Sequence, residues 1–212
     1  MDEPNEAELG ERIVRGDWDA WDAFYDAYAT RLWRYTARIV GRNHADVHDI
    51  VQNTFVEAAR SAHRYDANRG TLDNWIWGIA AHQIQRHFRS QSRSELLARA
   101  VVDGGTRTAD LRRLLENPEL CPDEAYERVE TCQTVRQTLA SILPDYARLL
   151  IAKYLDNETT IHIAELTGQS SDAVTSKLAR ARRAFREKFM QLAGEVSETS
   201  IHAKVTEDHE RA

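Results

Sequence analysis

The sequence predicts an all-α protein, two small helical domains joined by a linker, and three observations carry that expectation. Apolar residues recur at the three- and four-residue spacing of helices, and alternating runs rich in β-branched residues are absent. Glycine and proline are scarce, at 9 and 4 in 212 residues. The helical pattern weakens in a single stretch, from Ser90 to about Pro122, where Gly104-Gly105, Pro118 and Pro122 fall close together. These signals divide the chain into a helical block over 1–92, a linker over 93–122, a second helical block over 123–192, and an acidic tail over 193–212 expected to be disordered.

The first block opens on an aromatic-rich amphipathic pattern of Leu9, Ile13, Trp18, Trp21, Phe24, Tyr28, Leu32, Tyr35 and Ile39. Gly41-Arg42-Asn43 breaks it, and His44 or Asp46 can open the next helix, whose stripe is Val47, Val51, Thr54 and Ala58. Tyr65-Asp66-Ala67-Asn68-Arg69-Gly70 is turn chemistry. A further helix is predicted from about Leu72 to Arg89.

Composition narrows the function. Hydrophobic content of 42% and charged content of 29% suit a soluble globular protein. No run approaches the roughly 18 apolar residues that would span a bilayer, so no membrane insertion is expected. The opening MDEPNEAELGER lacks the apolar core of a secretory signal. Cys121 and Cys132 have the spacing of neither a zinc knuckle nor a redox pair, which points to a reducing, cytoplasmic setting. No phosphate-binding loop, nucleophile elbow or dinucleotide fingerprint occurs, so neither catalytic activity nor a cofactor is expected. His44 and His48 are four apart but lack a third ligand nearby in sequence, and His82 and His87 diverge on a helix; no metal site is expected.

The net charge of −6 conceals two basic islands. Residues 61–100 carry 6 basic against 3 acidic side chains, and residues 146–190 carry 8 against 5. Phosphate binding follows local potential rather than total charge, so two separate contacts with DNA are compatible with an acidic chain.

The strongest local pattern is TTIHIAELTGQSSDAVTSKLARARRAFREKF, from Thr159. A short helix over Thr160–Leu166 is followed by Thr167-Gly168-Gln169, a tight turn, and by Ser170 or Ser171 as cap of a second helix. Val174, Leu178, Ala181 and Phe185 form that helix's buried stripe. Asp172, Ser176, Arg180 and Arg183 fall opposite, with Thr175 and Lys177 on the flanks. Small polar groups early and arginines late suit a helix whose start reads base edges while its later turns grip phosphate. The pattern is that of a helix-turn-helix.

Those residues resemble a family. LPDYARLLIAKYLDNETTIHIAELTGQSSDAVTSKLARARRAFREKF is similar to region 4 of extracytoplasmic-function (ECF) sigma factors, with the pattern LPxxxRxVxxLxYxxGxSxxEIAxxLGxSxGTVKSRLxRARxxL. Leu143-Pro144, Arg148, Tyr154, Ile163-Ala164, Leu166, Gly168, Ser170, Val174, Ser176, Leu178 and Arg180-Ala181-Arg182 carry it. In the first block, DVHDIVQNTFVEAARSAHRYD resembles the family's DAEDLVQETFLRAWRxxxxFD, and NWIWGIAAHQIQRHFR resembles its WLxxIAxNxxxDxxR.

The resemblance implies a sigma factor that brings core RNA polymerase to specific promoters, with no chemistry of its own. It implies as partners the polymerase β′ and β subunits, promoter DNA and an anti-sigma factor. Asp46, Asp49, Gln52 and Asn53 would pack against β′. Arg64, Asn68, Arg69, Trp77, Arg86 and Arg89 would take the unpaired −10 strand, a base-capturing loop lying over Arg64–Thr71; Trp77 is the stacking candidate, whereas Trp75 is read as core. Ser171, Asp172, Thr175, Ser176, Lys177, Arg180 and Arg183 would read the −35 duplex.

Departures from the pattern matter. His48 and Asn53 replace acids, and Thr54 beside that face offers a place where a phosphate would restore negative charge. Ala173, Thr175 and Lys177 replace the usual Thr, Lys and Arg, so base preference does not transfer. Two rival readings are a helix-turn-helix regulator acting without polymerase and a module that binds polymerase or an anti-sigma factor but no promoter.

Overall fold

The computed structural model describes residues 6–41, 43–101 and 122–209, with side chains over 6–41, 43–91 and 131–194. Among these residues the secondary structure is wholly helical, as the spacing predicts. The N-terminal half comprises α1 (Glu6–Val14), α2 (Trp18–Val40), α3 (His44–Ser61), one 3-10 turn (Ala62–Arg64) and α4 (Leu72–Val101). The C-terminal half comprises α5 (Pro122–Ser141), α6 (Pro144–Tyr154), α7 (Thr160–Thr167) and α8 (Ser171–His209).

The break between α1 and α2 is not visible in the hydrophobic pattern, which runs through it. Gly16 adopts φ +78°, and Asp17 then caps α2, its Oδ1 accepting from the Asp19 and Ala20 amides at 3.0 and 3.4 Å. Arg12 Nε donates to Asp17 Oδ2 at 2.7 Å and ties the end of α1 to the start of α2. That bond holds the Asp17 carboxyl below its ordinary range. The contribution is therefore present above the ordinary carboxylate range and fades as pH falls through the lowered value.

Each helix buries one stripe. On α2 it is Ala20, Phe24, Tyr28, Leu32, Tyr35 and Ile39; on α3 Val47, Ile50, Val51, Thr54 and Ala58; on α4 Leu72, Ile76, Trp77, Ala80 and Ile84. Trp18, expected to be apolar-facing, is 83% exposed because it occupies the first helical position of α2, ahead of the stripe. Asn43 caps α3 through the Ala45 amide, so that helix opens at His44.

In the C-terminal half, Pro144 at the first helical position starts α6. Asn157 turns the chain at φ 58°, a left-handed conformation that Asn tolerates better than most residues, at the point where the family pattern has Gly. Thr159 caps α7, its Oγ1 accepting from the His162 amide at 3.1 Å. Gly168 closes the helix at φ 63° and ψ 22°, its amide reaching back to α7, and Ser170 Oγ accepts from the Ala173 amide at 3.2 Å as α8 begins. Thr159→Ala is expected to lower stability by about 1 kcal/mol, the usual loss of a side-chain cap, read by denaturant unfolding.

Two expected boundaries move. α4 continues to Val101, past the expected linker start, and α8 runs to His209, so the tail is helical over most of the length expected to be disordered. Extending a formed helix fixes one residue per hydrogen bond without a new nucleation step, and the tail holds no proline to stop it. The expected linker over 102–121 lies outside the described residues. The halves touch: α5 and α6 pack on α2 and α4, and the buried residues of both form one continuous cluster.

Candidate functional site

The residues expected to matter fall on three surfaces. On α3, Asp49, Gln52 and Asn53 are exposed, on the face turned away from the buried Val47 and Val51. Asp46 is half-buried in the first turn, its Oδ2 accepting from Asn43 Nδ2 at 2.7 Å and lying 4.0 Å from His87 Nε2. His48 Nδ1 stands 3.8 Å from Asp49 Oδ1, so the family's second acid is replaced by a group that partly offsets its neighbour when protonated. His44 packs on Trp33, with ring centroids 5.6 Å apart.

Thr54 does not lie on this surface. It is wholly buried, and its hydroxyl donates to the Ile50 carbonyl at 2.7 Å. A hydroxyl closed in by the bundle is out of a kinase's reach, so the expected phosphate is withdrawn. Thr54→Glu is expected to destabilise by about 4 kcal/mol or more, since it forces an unpaired carboxylate into the core; loss of cooperative thermal unfolding would register it.

The second surface is the loop over Tyr65–Thr71 and the exposed side of α4. Arg64 is exposed at the end of the 3-10 turn, Asn68 and Arg69 are exposed on the loop, and Arg86 and Arg89 are exposed on α4. Asp66 folds the loop back on itself: its Oδ1 accepts from the Asn68 amide at 2.9 Å and from Asn68 Nδ2 at 3.0 Å. Arg86 lies fourteen residues beyond Leu72 on α4, roughly 21 Å along at 1.5 Å per residue, so loop and helix arginines form a track rather than a cluster.

Trp77 departs from expectation. It is 3% exposed, whereas Trp75 is only partly buried. Tyr35 meets the Trp77 ring edge-on at 5.1 Å, Nε1 donates to Asp73 Oδ1 at 3.0 Å, and the Arg148 guanidinium covers the ring at 4.3 Å. In this conformation Trp77 offers no face to a base. Trp75 packs against Tyr65 and Phe24 at 5.3 and 6.3 Å.

Sequence reasoning missed what holds the loop. Glu6 Oε1 accepts from the Asp73 amide at 2.5 Å, capping α4 across sixty-seven residues, and from the Tyr28 hydroxyl at 3.5 Å. At the loop's other end the Tyr65 ring lies on Gly10, where a Cβ would meet Cε1 at 2.5 Å, and its hydroxyl donates to the Gly70 carbonyl at 3.3 Å. Burial, reinforced by Asp73 and Glu6, raises the Tyr28 hydroxyl well above its ordinary range, and burial does the same for Tyr35. Both phenols stay neutral under ordinary conditions. No local pattern reports these contacts, because each joins residues distant in sequence.

The third surface is the start of α8. Ser171, Asp172, Thr175, Ser176, Arg180 and Arg183 are exposed, opposite the buried Val174, Leu178 and Ala181. Lys177 is turned inward, its Nζ 2.8 Å from Asp145 Oδ2. Arg182 donates to the Tyr154 hydroxyl at 3.4 Å. Among the described residues no group of three or more His, Cys, Asp or Glu side chains is disposed to hold a metal, and no helix is long and apolar enough to cross a membrane.

The described residues thus form a helical bundle carrying an exposed polar face, followed by a helix-turn-helix with a polar-then-basic second helix. Residues 24–94 match the model of sigma-70 region 2. The ECF RNA polymerase sigma factor SigW of Bacillus subtilis is 24% identical over 181 residues, spanning 85% of this chain and 95% of that protein. The ECF RNA polymerase sigma-E factor of Haemophilus influenzae is 24% identical over 190 residues, spanning 87% and 95%. A solved structure of CnrH in complex with the cytosolic domain of CnrY superposes with a TM-score of 0.42 at 19% identity, covering 86% of this chain and 95% of that one. Residues 24–94 thus match sigma-70 region 2, and the relatives to which the chain is similar over most of its length are ECF RNA polymerase sigma factors.

Proposed function

We propose that this chain directs core RNA polymerase to specific promoters and starts transcription there, as a non-catalytic subunit. The observation that carries the reading is the span of the likeness to SigW, which takes in 85% of this chain and therefore reaches into both halves. In this reading Asp46, Asp49, Gln52 and Asn53 dock on the β′ subunit, with β as a further contact. Arg64, Asn68, Arg69, Arg86 and Arg89 hold the unpaired −10 strand, and Ser171, Asp172, Thr175, Ser176, Lys177, Arg180 and Arg183 read the −35 duplex. The functional units are residues 1–92 and 123–192, the protein works in the cytoplasm, and an anti-sigma factor is a further partner.

Melting needs no reaction. A protein that binds the unpaired strand more tightly than the duplex shifts the equilibrium toward the open form by that difference in affinity. The exposed loop arginines supply cations for phosphate; a base lifted from the stack also needs an apolar or aromatic surface. Of the two tryptophans, Trp75 is the partly exposed one and lies beside the loop, whereas Trp77 is available only if Arg148 withdraws.

Gel shift on promoter DNA, with and without core polymerase, tests the reading. A specific shift only when polymerase is present supports it. A specific shift by the chain alone would favour a helix-turn-helix regulator, and polymerase binding without a promoter shift would favour an interaction module.

A further inference from the structure

Helix α1 holds both ends of the exposed loop over Tyr65–Thr71. At the far end, α4 begins with amides that no carbonyl of its own helix can satisfy. Thr71 answers one of them locally, its Oγ1 accepting from the Asn74 amide at 3.2 Å. The Asp73 amide is answered by Glu6 Oε1 at 2.5 Å, and the Tyr28 hydroxyl donates to the same oxygen at 3.5 Å. At the near end the Tyr65 ring lies on Gly10, packs on Trp75 at 5.3 Å, and donates from its hydroxyl across the loop to the Gly70 carbonyl at 3.3 Å. The support is itself fixed, since Leu9 and Ile13 of α1 are buried in the bundle.

Gly10 makes sense through this contact alone. It lies inside α1 without a left-handed backbone, where helix propensity favours almost any other residue. A Cβ there would meet Tyr65 Cε1 at 2.5 Å and force the ring aside. The bonds of the loop's tip are internal: the Asp66 carboxylate accepts from the Asn68 amide at 2.9 Å, and the Asp66 carbonyl from the Arg69 amide at 3.0 Å. Such bonds fix the loop's shape, whereas its placement on the bundle comes from α1.

We infer that α1 positions the base-capturing loop, and that Glu6 and Gly10, outside the surfaces assigned to DNA, set how selectively an unpaired base is taken. The inference rests on the sigma reading for the role of the loop, not for its attachment. A pocket whose walls stand in place orders fewer groups on capture, and its polar groups cannot shift to suit a wrong base. Arg86 and Arg89 lie further along α4, beyond the reach of α1, and grip phosphate in either case. Loss of the support should therefore cost base preference and leave general affinity for the strand.

The test has two arms. In the full chain without polymerase, Glu6→Ala should speed hydrogen exchange of the Asp73 amide by about tenfold, while Asn74, held by Thr71, changes little. Glu6→Gln should exchange like wild type, because its amide oxygen accepts the same bond. Gly10→Ala should displace the NMR signals of Tyr65 and Gly70 and leave those of Val47 and Ile50 in place. In the second arm, holoenzyme binds a single strand carrying the −10 stretch of a promoter recovered by run-off transcription, or the same strand with those bases scrambled. Glu6→Ala and Gly10→Ala should each reduce the preference for the promoter strand by about fivefold or more. Affinity for the scrambled strand should stay within about twofold. Glu6→Gln should keep the preference, a rescue that general loosening of the fold cannot produce. Unchanged exchange at Asp73 in Glu6→Ala breaks the link itself. An undiminished preference in Glu6→Ala and Gly10→Ala, an equal loss of affinity for both strands, or a Glu6→Gln chain as impaired as Glu6→Ala overturns the positioning role. If the first arm behaves as described but wild-type holoenzyme shows no strand preference, the sigma reading fails and the positioning role with it, while the attachment of the loop to α1 stands.

Discussion

Replacing Asp49 and Asn53 together by lysine is expected to weaken association with core polymerase by about a hundredfold, equivalent to about 2.7 kcal/mol. Both side chains are exposed on α3, so the substitutions leave the stripe of Val47, Ile50, Val51 and Thr54 untouched. Surface changes of this kind usually alter stability within about 0.5 kcal/mol. Their effect on docking is expected to be larger, because under the proposed function an acidic face turned basic would meet like charge on the partner, a juxtaposition that costs several kcal/mol. Analytical size exclusion with core enzyme, alongside thermal unfolding of the free protein, separates impaired docking from impaired folding. His48, 3.8 Å from Asp49, adds a milder relative of the same experiment. His48→Glu, which restores the family's acid, should tighten association by a fewfold.

Removing Arg180 and Arg183 together is expected to weaken binding of the holoenzyme to −35 duplex by tenfold or more. The slope of log affinity against log salt should shrink by about 1.8, since two phosphates would keep the counterions that the guanidiniums otherwise displace. The two guanidiniums are exposed on α8, three residues apart, beyond the small polar side chains of its first turns. The weakening should therefore be nearly uniform across promoter sequences, whereas Ser176→Ala or Thr175→Ala should change which sequences are preferred. An unchanged salt slope in the double variant would remove these arginines from the DNA interface.

The surfaces built from neighbouring residues are legible in the sequence. The helix-turn-helix can be read because its signals are local: a small residue at Ala164, a left-handed Gly168, a capping Ser170, and a stripe at Val174, Leu178 and Ala181. The polar face of α3 follows from its period in the same way. The break at Gly16 is hidden because apolar positions continue across it, and only the cap formed by Asp17 marks the new helix. The helical tail runs against its polar, acidic composition, which says little about extension from a helix already formed.

Long-range contacts are the harder part. Nothing near Asp73 in sequence announces that it joins Arg31, Arg148 and Trp77, since Arg31 and Arg148 come from two other helices. The same contacts explain why Trp77 is buried rather than free to stack: a 100° rotation per residue places it beside the buried Ile76 stripe, and Tyr35 and Arg148 then close over it. Thr54 is placed twice by the sequence, in the stripe seven residues on from Val47 and beside the exposed Gln52 and Asn53; the helical period, not the proximity, gives its buried position.

The central claim is that this chain confers promoter choice on core polymerase, and run-off transcription with purified core enzyme on a library of genomic fragments tests it most directly. The expected result is a set of discrete transcripts from a few fragments, each dependent on the added chain. Asp49→Lys/Asn53→Lys should abolish them, and Arg180→Ala/Arg183→Ala should reduce them. Transcripts identical to those of core enzyme alone, under conditions in which the folded chain is present in excess, would contradict the claim.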